Sequence, residues 1–436
     1  MNKKFLWFLF GLGSQLQIVA SLSITELFVY VAAVILAARE FHYMKRNGVM
    51  PFFNMSIALL VGGFISGIVN HAAFARMLRG MAVLCLLPCA IIVSHWMLRK
   101  DMANFKWSFI GGVFSGIIST FIFQNHFLVE SGGGEGRVDA DIIMNGPLWL
   151  VGRIGDLVML YPKGWYMQCP LLISAFVPVF LAGFALLTSV SGRGTSVRSI
   201  CSAALVFIGG KTRATIKRRI CNHFWLICII GIALISLFKN VYQYTASSGM
   251  LGEKARHKYE VQTKGDKSIG ALLLGGRMQS FCGLMACVDK PIIGFGPWAL
   301  DENGYAGEFL RRFGNVEDYD SYYKAIQSGS LGLIPCHAYI TEFWCWYGII
   351  GLVFWLYVIF LLVRYIKQDC FAVPQFYMWL AASVPAYFWD IFFNPFSARV
   401  SSMMFIVACL MVRAVRLGRH KLPFEMEREI LMSERR

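Results

Sequence analysis

The sequence predicts an all-α membrane protein that crosses the bilayer about twelve times and carries one large loop with short helices on the outer side. Hydrophobic residues make up 57% of the 436 positions and charged residues only 15%, whereas about a quarter of a soluble protein is charged. Apolar runs of about 20 residues, the length that a spanning helix needs, recur along the chain. These runs are continuous rather than alternating, which excludes a transmembrane β-barrel.

The positive charge of the chain follows the ends of the apolar runs. The formal net charge is +16, which in a soluble protein would suggest nucleic acid. Lysines and arginines at the ends of membrane spans are instead typical of the positive-inside bias and of attraction to anionic lipid. We therefore expect membrane lipid, and no nucleic acid, among the partners.

The predicted spans begin close to the first residue. The apolar run 5–22 follows two lysines, as in a signal peptide. It lacks a small-x-small cleavage site and further runs follow at once, so we interpret it as a retained first helix. The other predicted spans are 24–38, 52–72, 80–98, 106–123, 147–162, 169–190, 198–210, 222–238, 340–363, 374–391 and 397–412.

Clusters of basic residues indicate the orientation. With twelve spans they all fall on one side, which the positive-inside rule makes cytoplasmic together with both termini. The segment 147–162 is a weak span because it carries Arg153 and Asp156, but omitting it would move one basic cluster to the opposite side. The clusters are 39–46, 99–100, 211–219, 364–367 and 413–421.

The predicted organisation has four regions. They are N-terminal transmembrane helices over 1–238, an outer loop region over 239–337, C-terminal transmembrane helices over 338–414 and a cytoplasmic tail over 415–436. An outer connection of about a hundred residues is far longer than usual, which indicates a function or a small subdomain. A shorter outer segment, 124–146, contains a glycine-rich run typical of a flexible loop. A phosphate-binding loop is the alternative, but no Lys-Ser/Thr pair follows the glycines.

The twelve cysteines are scattered, mostly within apolar runs. No C-x-x-C pair or other metal-ligand spacing is present in the sequence, so we interpret most of them as small buried hydrophobic residues. Cys282, Cys287 and Cys336 lie in the long outer segment, where pairing between them is open.

Two residues of the outer segment are candidates for chemistry. His337 stands where the polar loop gives way to the apolar run 340–363. A histidine at such a boundary suits proton transfer near neutral pH, and a structural histidine packed by aromatic rings is the alternative. Arg277 lies in the first turn of a predicted helix, 276–289, that Pro291 stops. The N-terminal amides of a helix favour bound anions, and a salt bridge to the following acidic loop is the alternative.

The acidic loop after this helix combines carboxylates with tyrosines, which suit sugar hydroxyls and ring faces but also a solvated surface. Its members are Asp301, Glu302, Glu308, Glu317, Asp318, Tyr319, Asp320, Tyr322 and Tyr323.

Further arginines lie on the predicted outer face, against the positive-inside bias. Arg193 stands among small residues and Arg198 begins the next span. Cations held there suggest an anion that arrives at the outer surface, and snorkelling to lipid phosphate is the alternative, above all for Arg198. Near the outer ends of the last spans, Asp390 and Arg399 are interpreted as a structural ion pair.

Three blocks together resemble the O-antigen ligase and Wzy-type polymerase superfamily. His337, followed by apolar residues and the Gly-x-x-Gly run 348–351, is similar to the family's histidine signature. Residues 276–298 resemble its block of an arginine, a helix and Pro-x-x-Gly-x-Gly. The run 191–194, which holds Arg193, is similar to its Ser-Arg-Gly motif with one glycine inserted.

The histidine block departs from the family pattern in two places. Ala338 follows the histidine where members have Asn or Ser, and Trp346 stands where many carry a carboxylate. Glu342 is nearby but not at the matching position, so the resemblance assigns it no role.

The resemblance implies a glycosyltransferase of the bacterial inner membrane, which makes the loop 239–337 periplasmic. The donor would be a glycan on undecaprenyl diphosphate. The acceptor would be lipid A-core for an O-antigen ligase, or another repeat unit for a polymerase of O-antigen or exopolysaccharide. A protein O-oligosaccharyltransferase belongs to the same superfamily and differs in its acceptor. Catalysis would need no metal or other cofactor.

In this scheme His337 is the expected general base for the acceptor hydroxyl. Arg193 and Arg277, with Arg198 as a further candidate, are expected to bind the diphosphate through charge-assisted hydrogen bonds. The rival hypothesis is a transporter or flippase for lipid-linked sugars or another anion, which would also require outward-facing arginines. A transporter should show inverted repeats and broken helices, neither of which the sequence indicates.

Overall fold

The computed structural model describes residues 3–15, 17–19, 22–100, 103–118, 278–313, 332–369, 377–394 and 399–418, with 199–205, 396 and isolated positions between 179 and 260. These parts are almost entirely helical. The N-terminal helices are α1 (Lys3–Leu12), α2 (Ile24–Arg46), α3 (Met50–Val69), α4 (Phe74–Lys100) and α5 (Ala103–Ile117). The later helices are α6 (Met278–Asp289), α7 (Tyr305–Phe313), α8 (Tyr339–Tyr347), α9 (Ile349–Arg364), α10 (Tyr377–Phe393) and α11 (Arg399–Arg416).

Among the described residues, three helices are long and apolar enough to cross a membrane: α3, α4 and the segment Ile349–Gln368, in which a π-helical turn extends α9. They indicate a membrane protein. The predicted spans 52–72 and 80–98 coincide with α3 and α4. The predicted spans 147–162, 169–190 and 222–238, by contrast, lie largely outside the described residues.

Helix α4 forms the centre of the described bundle. It packs against α2, α3, α5 and α11, and its side chains from Val83 to Leu98 are mostly buried. A helix that is apolar on all sides belongs in the interior. The helices around it leave apolar side chains exposed on their outward faces, as expected of helices that face lipid.

The predicted first span, 5–22, is wrong as one helix. Helix α1 ends at Leu12, and a 3-10 turn leads into a short antiparallel strand pair, β1 (Gln17–Val19) and β2 (Leu22–Ser23). At Gly11 the backbones of α1 and α5 touch, since a Cβ atom there would lie 1.8 Å from the carbonyl oxygen of Ser108. Glycine permits this approach but is a weak helix former, which favours an early end of the helix.

The predicted span 340–363 is also wrong as one helix. It divides at Gly348 into α8 and α9, which fold back on each other. The rings of Tyr339 and Trp355 lie 5.1 Å apart, and those of Phe343 and Trp355 lie 5.4 Å apart. In a continuous helix Tyr339 and Trp355 would be separated by about 24 Å.

The basic ends of four helices meet at one end of the bundle. Asn47, at the end of α2, bonds to His95 of α4 through its amide nitrogen at 3.0 Å and to the sulfur of Met411 of α11 at 3.9 Å. The guanidinium of Arg416 donates to the carbonyl of Gln368, just beyond α9. These contacts bring together four of the five basic clusters, as the predicted orientation requires. The fifth, 211–219, lies outside the described residues.

Candidate functional site

Two of the motif blocks are joined by their backbones. The amide of Gly296 donates to the carbonyl of Trp346 at 3.0 Å, and the amide of Ile349 donates to the carbonyl of Ile292 at 3.0 Å. The turn after α6 is therefore fixed against the turn between α8 and α9. Residues about fifty positions apart in the sequence form one compact junction.

Glycine is required on both sides of this junction. Gly294 and Gly348 have φ of +75° and +65°, where side chains are disfavoured. A Cβ atom on Gly294 would also lie 2.6 Å from the amide nitrogen of Gly348. The Pro-x-x-Gly and Gly-x-x-Gly patterns thus have a structural reason, because two backbones pack against each other without side chains between them.

Helix α3 holds this junction through side-chain hydrogen bonds. The amide nitrogen of Asn70 donates to the carbonyls of Gly294 at 2.9 Å and Ser66 at 2.8 Å, while its oxygen accepts from Lys290 at 2.8 Å. The hydroxyl of Ser66 donates to the carbonyl of Trp346 at 2.9 Å. One polar end of a spanning helix therefore positions both turns.

An aromatic cluster supports the start of α8. The ring of Phe396, in the connection between α10 and α11, lies 5.0 Å from that of Tyr339 and 5.1 Å from that of Phe343. The carboxylate of Glu342 accepts a hydrogen bond from the backbone amide of Phe396 at 3.0 Å and is 8% exposed. Glu342 thereby ties α8 to the last two helices.

His337 lies in the extended segment that leads into α8. It is half-buried and precedes the buried Ala338, which is the N-terminal cap of the helix. A bridge between Leu333 and Leu300 binds this segment to the chain that follows the Pro-x-x-Gly block. The histidine thus lies at the end of α8 remote from the Gly348 turn. This differs from the sequence expectation, in which the helix continued from the histidine across the membrane.

The three arginines predicted to bind diphosphate, Arg193, Arg198 and Arg277, lie outside the described residues. Helix α6 begins at Met278, directly after Arg277, and ends at Asp289 before Pro291, so the predicted helix is confirmed over its described part.

Two other cations flank the junction. The guanidinium of Arg79 lies 3.9 Å from the centre of the Trp298 ring, and the ammonium of Lys290 lies 4.7 Å from that of Phe295. Trp298 has φ of 58°, which is unusual for a bulky residue, and stacks on Trp346 at 5.6 Å. Such backbone strain persists where the surrounding contacts enforce it.

Asp301, at the start of the acidic loop, has a structural role. Asp301 is 2% exposed and accepts the backbone amides of Tyr305 at 2.8 Å and Ala306 at 2.9 Å, which caps α7. The hydroxyl of Tyr305 donates to Asp289 at 2.7 Å, joining α7 to α6. Burial and this carboxylate raise the pKa of Tyr305, so the hydroxyl remains a donor. Residues 317–323 of the loop lie beyond the described part.

Thiols fill the contact between α6 and the start of α8. The thiol of Cys287 donates to the carbonyl oxygen of Thr341 at 3.6 Å, and a Cβ atom on Gly283 would lie 2.7 Å from the sulfur of Cys336. Within the described residues these cysteines are free thiols. Cys282, Cys287 and Cys336, whose pairing the sequence left open, therefore pack as small side chains in this structure.

A buried charged cluster at the basic end of the bundle was not predicted from the sequence. Glu40 accepts from both Nε of Arg99 at 3.1 Å and its terminal nitrogen at 2.6 Å, and bonds to Nδ1 of His95 at 3.0 Å. Because the Asn47 amide nitrogen donates to Nε2 of His95, the Nδ1–H of His95 donates to Glu40. Glu40 and His95 are completely buried. The one available signal was a glutamate within a basic cluster.

In the described part of the chain, no group of three or more His, Cys, Asp or Glu residues is placed to hold a metal ion. The described residues thus hold a half-buried histidine at one end of α8 and, at the other end, the backbone junction with its flanking cations.

Comparison with known proteins assigns no relative. No family model matches the chain, and neither the curated proteins nor the solved structures contain a significant match.

Proposed function

We propose that this protein is a membrane glycosyltransferase that moves a glycan from a polyprenyl diphosphate carrier to an acceptor hydroxyl at the periplasmic face. It would act as an O-antigen ligase or as a polymerase of glycan repeats. The observation that carries this proposal is the junction of the Pro291 and Gly348 turns. Two of the three blocks that carry the family resemblance lie against each other, with their glycines at the contact.

The reaction requires a base for the acceptor proton and cations for the leaving diphosphate. The acceptor oxygen attacks the anomeric carbon and gives its proton to a base, while the bond from that carbon to the diphosphate breaks and the diphosphate leaves with the electron pair. His337 would take the proton, since a half-buried imidazole can hold one near neutral pH. Arg277 and Arg193, with Arg198 as the further candidate, would neutralise the leaving diphosphate.

The described residues support the position of the base. The Leu300–Leu333 bridge fixes the segment before His337, and the aromatic cluster around Phe396 fixes the helix after it. A general base held from both sides loses little orientational freedom when substrate binds. In this proposal Glu342 positions α8 and does not take part in proton transfer, because its carboxylate is engaged by the Phe396 amide.

A transporter or flippase for lipid-linked sugars remains the second candidate, and one observation favours it. The helix break at Gly348 faces a second turn, and helices interrupted in this way surround substrate sites in transporters. The sequence indicates no broken helix, so the break at Gly348 supplies one of the two features that a transporter should show.

The lipid-linked intermediates of a deletion strain separate these functions. Full-length chains that accumulate on the carrier indicate a ligase, and single repeat units indicate a polymerase. Intermediates that remain on the cytoplasmic side, inaccessible to reagents added from outside, would refute the proposal in favour of a flippase. Complementation with Arg277→Ala should fail, whereas Arg311→Ala, which removes an exposed arginine from α7, should restore normal glycan.

A further inference from the structure

Helix α6 presents an apolar stripe to its surroundings. Leu284 and Val288 lie four residues apart on one face of α6. Ile292 follows in the turn beyond the end of the helix, and Val288 and Ile292 are 72% and 71% exposed. Ile293 beside them is also exposed. Large apolar side chains exposed together on a surface indicate contact with a membrane or a partner.

This stripe continues directly into a spanning helix. The carbonyl of Ile292 accepts the amide of Ile349, the first residue of α9. From Ile349 an exposed apolar row runs down α9 through Val353, Leu356 and Phe360. Because α9 begins a candidate membrane span, the face of α6 is an extension of a surface already assigned to lipid.

The helix beside α6 has a different surface. Glu308 and Arg311 on the outward side of α7 form an ion pair at 2.8 Å, and Arg311 is exposed. The opposite side of α7, with Phe309 and Leu310, is buried. Helices α6 and α7 belong to the same loop region. The outward face of α6 is apolar, whereas the outward face of α7 is charged. This contrast is typical of a unit at a boundary between lipid and water.

A cation lies within the stripe. Lys290 is exposed between Val288 and Ile292 in the sequence, and its ammonium bonds to Asn70 at the end of α3. The buried side of α6, with Cys282, Ala286 and Cys287, faces the protein. An apolar outer face with a lysine held at the polar end of a spanning helix matches a helix at the membrane interface, where long basic side chains place their charge near the headgroup level.

We propose that α6 lies at the membrane interface and that the stripe Leu284–Val288–Ile292 is covered by lipid acyl chains. The region 239–337 would then be partly a membrane-contacting unit and not wholly an aqueous loop. This inference is independent of the proposed enzymatic function, because it depends on exposure and on continuity with α9.

Carbene footprinting of the full-length wild-type protein tests it. The protein is reconstituted in vesicles of phosphatidylethanolamine and phosphatidylglycerol, labelled with an aryl diazirine dissolved in the bilayer, and mapped by peptide mass spectrometry. A parallel sample is labelled with a water-soluble diazirine. Val353 and Leu356 of α9 serve as the lipid-facing reference, and Glu308 and Arg311 of α7 serve as the aqueous reference.

We expect Val288 and Ile292 to be labelled by the bilayer reagent to the level of Val353 and to be protected from the aqueous reagent. Labelling by the aqueous reagent to the level of Glu308 would overturn the proposal. Protection from both reagents would overturn it as well, because that result means that protein covers the stripe.

Discussion

A Cβ atom on Gly348 would lie 2.0 Å from the carbonyl oxygen of Ile292. The chain can reverse between α8 and α9 only because this position has no side chain, and the reversal brings the segment after His337 back alongside α9. The same contact binds the turn that follows α6. One residue thus determines where both sequence blocks lie.

The first prediction concerns this residue. Gly348→Ala adds the clash with Ile292 to a backbone conformation that alone costs about 1–3 kcal/mol for a side-chain-bearing residue. We expect a clear fall in the midpoint of thermal unfolding of the purified protein in detergent. Gly332→Ala is the matched control, since a Cβ atom there meets nothing within 4 Å. Equal midpoints for the two variants would show that the reversal does not depend on Gly348.

The second prediction concerns the hydrogen bonds by which the end of α3 positions the junction. Asn70→Ala leaves the carbonyl of Gly294 and the ammonium of Lys290 without the amide, a loss of about 1–3 kcal/mol for a partly buried group. Lys290→Ala removes an exposed hydrogen bond and the contact of the ammonium with the Phe295 ring, which together should cost less than the loss of the Asn70 amide. The loss of stability is measured by thermal unfolding of both single variants and of the double variant. If Lys290→Ala is as destabilising as Asn70→Ala, the Asn70 amide does not stabilise the junction more than the lysine does.

The third prediction concerns the buried charged cluster. Arg99→Ala leaves Glu40 buried without its main cation, and breaking a buried pair in this way typically costs about 3–5 kcal/mol. Arg39 approaches the same carboxylate at 3.6 Å but is 54% exposed, so Arg39→Ala should have little effect. Yield of folded protein from membranes and its unfolding midpoint provide the comparison. A stable Arg99→Ala variant would mean that water or another group reaches Glu40.

Sequence patterns predicted the parts of this structure that depend on local chemistry. The apolar spacing from Met278 to Asp289 and the stop at Pro291 defined α6. The long apolar runs at α3 and α4 identified the membrane protein. In these cases the pattern and the structure share one cause, since periodicity decides the buried face and proline removes a helix hydrogen bond.

The reversal at Gly348 and the cluster around Glu40 escaped prediction for physical reasons. An apolar run of 24 residues has the same hydropathy whether it crosses once or folds back. Only the glycine, whose partner Ile292 lies 56 positions earlier, distinguishes the two. Glu40 and His95 are likewise 55 positions apart, and an ion pair between helices leaves no local pattern. The three diphosphate-binding candidates stay predictions, because Arg193, Arg198 and Arg277 lie beyond the described ranges.

The most direct test of the central claim is a transfer assay with purified protein, a polyprenyl-diphosphate-linked glycan and an acceptor glycolipid. The account predicts that His337→Ala lowers the rate of transfer by about 10²–10⁴-fold, the usual contribution of a general base. The elution volume and unfolding midpoint of the variant should equal those of the wild type. Transfer at the wild-type rate by a folded His337→Ala protein would contradict the assignment of His337 as the base.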